Sequence, residues 1–60
     1  MAQLEELDVV VLKEDFKKLK KDSVGTIIYL YGGKRHALIE LQDNETEIIP
    51  LNRLELKKLT

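Results

Sequence analysis

The sequence predicts an all-β protein, a small barrel of five short strands, for three reasons. Its apolar residues fall into short runs rich in valine and isoleucine, and such β-branched side chains fit the pleated surface of a sheet. The runs are separated by glycine, asparagine and aspartate, which tolerate the left-handed backbone of tight turns. No stretch keeps a helical period, and several short strands with tight turns are typical of a small barrel.

The first two predicted strands flank a lysine-rich loop. Residues 7–13, LDVVVLK, hold three successive valines and predict the first strand. The segment EDFKKLKKDS that follows is polar except for Phe16 and Leu19, which we interpret as two anchors that pin a loop. The apolar run VGTIIYLY predicts the second strand, which ends at the pair Gly32-Gly33.

Three further strands complete the predicted barrel. RHALIELQ predicts the third strand, and Gly32-Gly33 before it predicts a tight hairpin because primed turns require positive φ. ETEIIP predicts the fourth strand, after the pair Asp43-Asn44, which also tolerates left-handed backbone. Pro50 ends this strand, since proline cannot donate a hydrogen bond to the ladder. LNRLELKKL then supplies a short turn and the fifth strand.

Two-residue turns at both pairs would set the register of the three central strands. One face of the sheet then forms the apolar interior, and a four-residue first loop would keep the same faces because only an odd shift exchanges them. This interior contains Ile28, Leu30, Ala37, Ile39, Leu41 and Ile48. The opposite face, in contact with water, carries Tyr29, Tyr31, His36, Glu40 and Glu47.

The same register places Ile27, Leu38 and Ile49 in a row across three strands of the outer face. One interpretation is that a strongly bent strand, or leucines near the two termini, cover the row. The other is a contact row for a partner or for self-association, because exposed apolar patches usually mark contacts. The leucines in question are Leu4, Leu7, Leu54 and Leu56.

Length and composition limit the classes of protein that the chain can represent. Its 60 residues make one domain, residues 1–60, with a stability that we expect to be marginal. The chain has no cysteine, so it forms no disulfide framework, and we expect a cytoplasmic location because small secreted domains are commonly stapled. It has no apolar run of the roughly 20 residues that cross a bilayer, and its acidic start does not resemble a signal peptide.

Charge is balanced overall but unevenly distributed. The net charge is −1, so no general positive field attracts nucleic acid. Residues 13–21 contain five lysines and two acidic residues, whereas residues 40–47 contain four acidic residues and no lysine or arginine. This weak dipole favours contacts with proteins over contacts with DNA.

The segments ELDVVVLKED, residues 6–15, and LKKDSVGTI, residues 19–27, resemble a family of short bacterial proteins of unknown function. The family pattern is an acidic residue, Leu, Asp and three apolar residues, then a loop ending in Leu-Lys-x-Gly-Asp-x-Gly-Thr. The likeness covers nearly the whole chain and implies a five-stranded SH3-like barrel, with a turn like that of KOW modules in ribosomal and transcription proteins. It also implies a dedicated partner, as in a toxin–antitoxin-like pair.

The chain departs from this family pattern at three positions. Asp22 stands where the family usually has glycine, Ser23 stands where it has Asp, and Lys18 replaces a frequent glycine. Because aspartate reaches the left-handed region more readily than most residues, we expect the turn to be kept with some strain. Gly25 matches the family glycine and lets the second strand begin close to a neighbour.

The lysine-rich loop raises the question of a phosphate or nucleic-acid contact. A Walker-type loop needs several glycines and leads into a helix, whereas a strand follows Gly25, so we exclude it. A KOW-like RNA contact would place basic side chains on phosphates beside exposed tyrosines that stack on bases. The candidate residues are Lys17, Lys18, Lys20, Lys21, Lys34 and Arg35, with Tyr29 and Tyr31. The alternative is a loop of solvated lysines.

Few residues could carry catalysis or bind a metal. His36 is the only histidine and there is no cysteine, which argues against a zinc site. The segment DNETE, residues 43–47, lacks the spacing and the glycine of a calcium loop. Glu40 and Glu47 are expected on a wet surface and not in the apolar pocket that acid–base catalysis uses. We therefore predict no enzyme activity, no catalytic residue, no metal and no cofactor.

The function that the sequence favours is a small protein-interaction module. It would bind an unidentified protein partner or a second copy through the lysine-rich loop, the hairpin after Tyr31 and the row of Ile27, Leu38 and Ile49. The alternative is a KOW-like RNA or ribosome-associated binder, and no membrane partner is expected.

Overall fold

Five antiparallel strands form one sheet in the computed structural model, which describes residues 4–33 and 35–57. The strands are β1 (Val9–Leu12), β2 (Val24–Tyr31), β3 (His36–Leu41), β4 (Thr46–Pro50) and β5 (Leu54–Leu56), and a 3-10 helix (Leu51–Arg53) connects the last two. Their order in the sheet is β4-β3-β2-β1-β5. The predicted all-β class and the five strands are confirmed. The sheet is not closed into a barrel, because no ladder in the described ranges joins β4 to β5.

The short connection between β4 and β5 shows that the sheet curls strongly. These strands lie at opposite edges, and at a spacing of about 4.8 Å per strand a flat sheet would hold them about 19 Å apart. The 3-10 helix between them has three residues and spans only about 6 Å. The sheet therefore folds over a core, whose buried side chains are Val10, Leu12, Ile27, Ala37, Ile39, Ile49 and Leu54.

The hairpin between β2 and β3 has a four-residue connection, residues 32–35. Tyr31 pairs with His36, so the predicted two-residue glycine turn is wrong. The connection is longer by an even number of residues, and an even change keeps the faces. Leu30 accordingly pairs with Ala37 and both pack into or against the core, as predicted.

A β-bulge at Ile28 interrupts the pairing of β2 with β3, farther from the turn than Tyr31. Tyr29 pairs with Leu38 and Ile27 pairs with Ile39, so Ile28 is the extra residue of the bulged strand. One extra residue exchanges the faces of the strand beyond it. Ile27 is consequently fully buried and Ile28 is 40% exposed, so the predicted interior position of Ile28 is wrong.

The hairpin loop between β3 and β4 has three residues, 42–44, closed by the hydrogen-bonded residues Leu41 and Glu45, where a two-residue turn was predicted. The Leu41 N–H donates to the Glu45 carbonyl at 2.7 Å, and the Asn44 N–H donates to the Leu41 carbonyl at 3.0 Å. Asn44 has a φ of 68°, which is the left-handed residue that follows a type I turn in three-residue hairpin loops. This odd change turns Ile49 toward the core and leaves Ile48 46% exposed, so the predicted interior position of Ile48 is wrong.

The bulge and the longer loop together abolish the predicted contact row of Ile27, Leu38 and Ile49. Ile27 and Ile49 are core residues at 0% and 1% exposure, whereas Leu38 lies on the outer face opposite Ile48. The interpretation as an exposed contact row is therefore wrong. The other interpretation, that the row is covered, is correct for Ile27 and Ile49. Of the leucines considered as cover, Leu54 is buried and Leu4 packs against the core, while Leu7 and Leu56 are exposed.

The turn that leads into β2 has the backbone that the sequence predicted. Asp22 has a φ of 75°, the left-handed conformation expected where the family pattern has glycine. Gly25 is buried, and a Cβ atom there would collide with the Ile39 side chain and lie 3.0 Å from the carbonyl oxygen of Glu40. The predicted close approach of β2 to its neighbour is confirmed.

Leu7 lies in the turn before β1 and has an unusual conformation for a leucine. Its φ is 75° and its side chain is 79% exposed. A bulky side chain at positive φ is strained, and here little burial compensates for the strain. Hydrogen bonds hold the turn, because the Leu7 N–H donates to the Ile27 carbonyl at 2.7 Å and the Asp8 N–H donates to the Glu5 carbonyl at 3.2 Å.

We predict that Leu7→Asn raises the free energy of unfolding by about 0.5–1 kcal/mol, because asparagine adopts the left-handed region at lower cost. Urea unfolding followed by circular dichroism measures the change. The matched control is Leu56→Asn, since Leu56 is 41% exposed in β5 but does not have a positive φ. The control should lower stability, and a shift of both variants in the same direction contradicts the strain at Leu7.

Candidate functional site

Four of the five predicted lysines lie in the loop between β1 and β2, residues 13–23, called here the lysine loop. The base of the loop is closed by Leu12, whose N–H donates to the Ser23 carbonyl at 2.9 Å. Near the tip, Phe16 and Leu19 exchange backbone hydrogen bonds of 2.9 and 2.8 Å. The two residues between them therefore form a tight turn, in which Lys17 has a φ of 54°.

Aromatic and ionic contacts anchor the lysine loop to the rest of the fold. Phe16 packs against the core with Leu19, which confirms the two predicted anchors. The Lys17 ammonium lies 3.0 Å from Glu47 Oε2, and Arg53 Nε lies 3.0 Å from Glu14 Oε1. Both cations also lie near the Phe16 ring, at 5.5 Å for Lys17 and 5.7 Å for Arg53. Lys17 is thus a structural contact as well as a surface charge.

Glu47 also protects the free edge of β4. Glu45 and Leu51 both hydrogen-bond toward β3, and in an antiparallel ladder every second residue does so. The backbone N–H and C=O of Ile48, an even-numbered residue between these odd-numbered ones, therefore point away from β3. Glu47 Oε2 accepts the Ile48 N–H at 3.2 Å while it also binds the loop lysine. The strand ends at Pro50, which has no N–H to offer. An edge with so few free donors is a poor template for pairing with another chain.

The remaining basic residues of the candidate set are exposed. Lys18, Lys20 and Lys21 are solvent-exposed, and none of them forms an ion pair within residues 4–33 and 35–57. Arg35 is exposed in the β2–β3 connection, and Lys34 lies outside the described residues. With Lys13, which is also exposed and outside the two ion pairs of the described residues, the loop presents four free ammonium groups to solvent.

Tyr29 and Tyr31 lie on the outer face of the sheet, the face of β2, β3 and β4 that points away from the core. Both are exposed, as predicted, and their rings are T-shaped with centroids 4.7 Å apart and planes inclined at 69°. The lysine loop instead packs Phe16 and Leu19 against the core, on the inner side of the sheet. The anchors of the lysine loop thus lie on the opposite side of the sheet from the predicted tyrosines.

The outer face also carries aliphatic side chains that the sequence prediction assigned elsewhere. Leu38 pairs with Tyr29 on one side and with Ile48 on the other, so these three form a row across three strands. The bulge adds Ile28 to the same face. We call this surface the outer apolar face, and it consists of Ile28, Tyr29, Tyr31, Leu38 and Ile48.

The sequence signal for the outer apolar face was present but ambiguous. Ile27-Ile28 and Ile48-Ile49 are pairs of identical residues, so composition cannot decide which member faces outward. A three-residue loop around Asp43-Asn44 would have placed Ile48 outward, but this pair fits two- and three-residue loops equally well.

A shallow groove with two carboxylates adjoins the outer apolar face. It is lined by Glu5 and Glu6 from the turn before β1, by Tyr29 and Leu30 from β2, and by Gly33. The turn is held in place by Asp8, whose Oδ2 accepts the Glu5 N–H at 2.8 Å. Negative charge is therefore positioned beside Tyr29, one member of the exposed tyrosine pair.

The described residues include no buried polar or charged side chain. Within the same part of the chain, no group of three or more His, Asp or Glu residues could hold a metal ion, and His36 is exposed at the start of β3. The absence of enzyme activity and of cofactors stays a prediction. None of the described segments forms a helix long and apolar enough to cross a membrane.

Comparison with protein-family models, with curated proteins and with solved structures finds no match to the chain. Functional inference therefore rests on the geometry of the lysine loop, the outer apolar face and the groove beside it.

Proposed function

We propose that this chain is a non-enzymatic, cytoplasmic protein-interaction module that binds a protein partner through the outer apolar face. The observation that carries the proposal is one continuous apolar surface on three neighbouring strands. Four of its five side chains are 38–50% exposed, and the fifth, Leu38, is half-buried between them. Contiguous exposed apolar surface on a small protein is typical of a contact site.

The composition and rigidity of this surface support protein binding. Tyrosine supplies a large contact area at a low cost in conformational entropy, and it is enriched among the residues that dominate binding energy. All five side chains project from paired strands, so a partner would meet a preorganised surface. A dedicated partner of the toxin–antitoxin type is a special case of this proposal.

A KOW-like RNA or ribosome-associated binder is the second candidate. The free ammonium groups of Lys18, Lys20 and Lys21 favour it, because cationic side chains supply most of the affinity for phosphates. The position of the loop's anchors on the opposite side of the sheet from Tyr29 and Tyr31 weighs against it, since single-stranded RNA is held by charge and base stacking on one surface.

The two candidates predict opposite results for two variants. Ile48→Lys should reduce capture of the partner from a lysate of the source organism at least about 30-fold, because a charge buried at the centre of an interface costs roughly 2 kcal/mol or more. The double variant Lys20→Glu/Lys21→Glu should retain capture. Quantitative mass spectrometry after pull-down measures both effects, and thermal unfolding checks that Ile48→Lys remains folded, as its exposure predicts.

The reverse pattern supports the second candidate. An RNA binder should lose binding in the lysine double variant, keep it in Ile48→Lys, and lose affinity steeply between about 50 and 200 mM salt. A monomer that captures no protein, or equal capture by wild type and Ile48→Lys, contradicts the interaction module.

A further inference from the structure

We infer that the Tyr29–Tyr31 pair, together with Glu5 and Glu6, is a binding site for a cationic side chain, a lysine or arginine of the protein partner. This inference rests on the proposed function and specifies the chemistry of the partner. It names a site that the sequence prediction did not contain, because the acidic turn and the tyrosines are more than 20 residues apart in the chain.

The ring geometry provides the first part of the site. The two rings meet at 69° with centroids 4.7 Å apart, so a face of one ring and a face of the other form a concave corner. Tyr29 is 50% exposed and Tyr31 is 38% exposed, which leaves this corner accessible. The face of an aromatic ring attracts a cation within about 6 Å, and paired rings are a common way to bind ammonium groups.

The carboxylates provide the second part. Glu5 and Glu6 line the same groove as Tyr29, so their negative charge lies beside the aromatic corner. Within the described residues the ion pairs are Lys17–Glu47 and Arg53–Glu14, and neither uses Glu5 or Glu6. The two carboxylates are thus available to an external cation, and they would repel the phosphates of a nucleic acid.

The nearest described cation in sequence, Arg35, lies on the other side of β2. Its N–H donates to the Tyr31 carbonyl at 3.0 Å and its carbonyl accepts the Leu51 N–H at 2.9 Å, which places its backbone in line with β3, between β2 and β4. The acidic turn instead hydrogen-bonds to Ile27 from the β1 side. The acidic side of the groove, formed by Glu5 and Glu6, therefore lies across β2 from the backbone of Arg35.

The surface beyond the groove defines the rest of the ligand. The tyrosines are shared with the outer apolar face, which continues over Leu38 to Ile48. A ligand that fills both parts has a lysine or arginine next to apolar residues, which describes a basic amphipathic segment of a protein. Charge complementarity with the acidic groove thus selects one class of partner.

The test titrates tetramethylammonium chloride and N-acetyl-arginine amide into the full chain and follows backbone amide shifts by NMR, with sodium chloride at matched ionic strength as reference. We expect millimolar binding with shifts at Glu5, Glu6, Tyr29 and Gly33. Tyr29→Leu keeps the apolar area but should weaken binding about three- to tenfold. Glu5→Gln/Glu6→Gln should weaken it similarly, while the control Asp43→Asn/Glu45→Gln should leave it unchanged.

Shifts that match those caused by sodium chloride, or an equal loss in the control variant, overturn the cation site because they indicate diffuse ionic attraction. The partner capture assay separates this failure from failure of the proposed function. If Ile48→Lys loses the partner but Tyr29→Leu and Glu5→Gln/Glu6→Gln keep it, the cation site is wrong and the interaction module stands. If none of the three variants changes capture, both are wrong.

Discussion

Ile49→Ala lowers the free energy of unfolding by about 2–5 kcal/mol, and Ile48→Ala lowers it by less than about 1 kcal/mol. Ile49 is 1% exposed and faces the core opposite Ala37, so its truncation leaves a cavity among packed side chains. Ile48 is 46% exposed on the outer face, so its truncation removes mainly surface contacts. The two variants delete the same atoms from adjacent residues, and only the direction of the side chain differs.

The second pair of isoleucines provides an independent replicate of this test on β2. Ile27→Ala should be as costly as Ile49→Ala, and Ile28→Ala should be as mild as Ile48→Ala, because the bulge turns Ile27 inward. Urea unfolding and thermal melts by circular dichroism report the four values. The core of a domain of this size rarely supplies more than about 3–5 kcal/mol, so we expect both core variants to be largely unfolded at 37 °C. Equal costs within either pair would show that its register is wrong.

Gly25→Ala lowers the free energy of unfolding by about 1–3 kcal/mol, which corresponds to a fall in Tm of roughly 4 °C or more. The added methyl group would collide with the Ile39 side chain and lie 3.0 Å from the Glu40 carbonyl oxygen. Neither neighbour can move easily, because Ile39 is a core residue and Glu40 belongs to the paired strand β3. Thermal unfolding measures the loss.

A double-mutant cycle with Ile39→Ala tests whether this collision is the cause. Ile39→Ala is costly alone, but it removes the methyl group that a Cβ at residue 25 would meet, so Gly25→Ala should cost less in that background. Part of the cost should persist because the Glu40 carbonyl remains. The collision is not the cause if the two costs are additive, or if Gly25→Ala alone leaves Tm unchanged.

Local sequence patterns predicted the strands and several turn residues correctly. The valine-rich and isoleucine-rich runs form strands because β-branched side chains favour extended backbone wherever they can be half-buried. Asp22 and Asn44 both adopt the left-handed conformation that their short polar side chains tolerate. These preferences are properties of one residue and its immediate neighbours, so they can be inferred without knowledge of the rest of the fold.

The candidate site was predicted only in part. The outward positions of Tyr29 and Tyr31 were predicted correctly. The observed first loop is two residues longer than the predicted turn, and this even difference kept the predicted faces of β2 between the loop and the bulge. Ile28 and Ile48 were assigned to the core because neither the bulge nor the third residue of the second loop has an unambiguous sequence signal. The groove beside the tyrosines was missed, since it depends on hydrogen bonds from the acidic turn to Ile27.

By itself the sequence determined an all-β chain of five strands, the turn at Asp22 and the need for glycine at residue 25. Only the tertiary structure decided which isoleucine of each adjacent pair is buried. Both members have the same intrinsic preference for a strand, so the choice depends on a register shift of one residue, which exchanges every side chain between core and solvent. That choice is made by the packing of all five strands around one core, and it also creates the outer apolar face on which the proposed function depends.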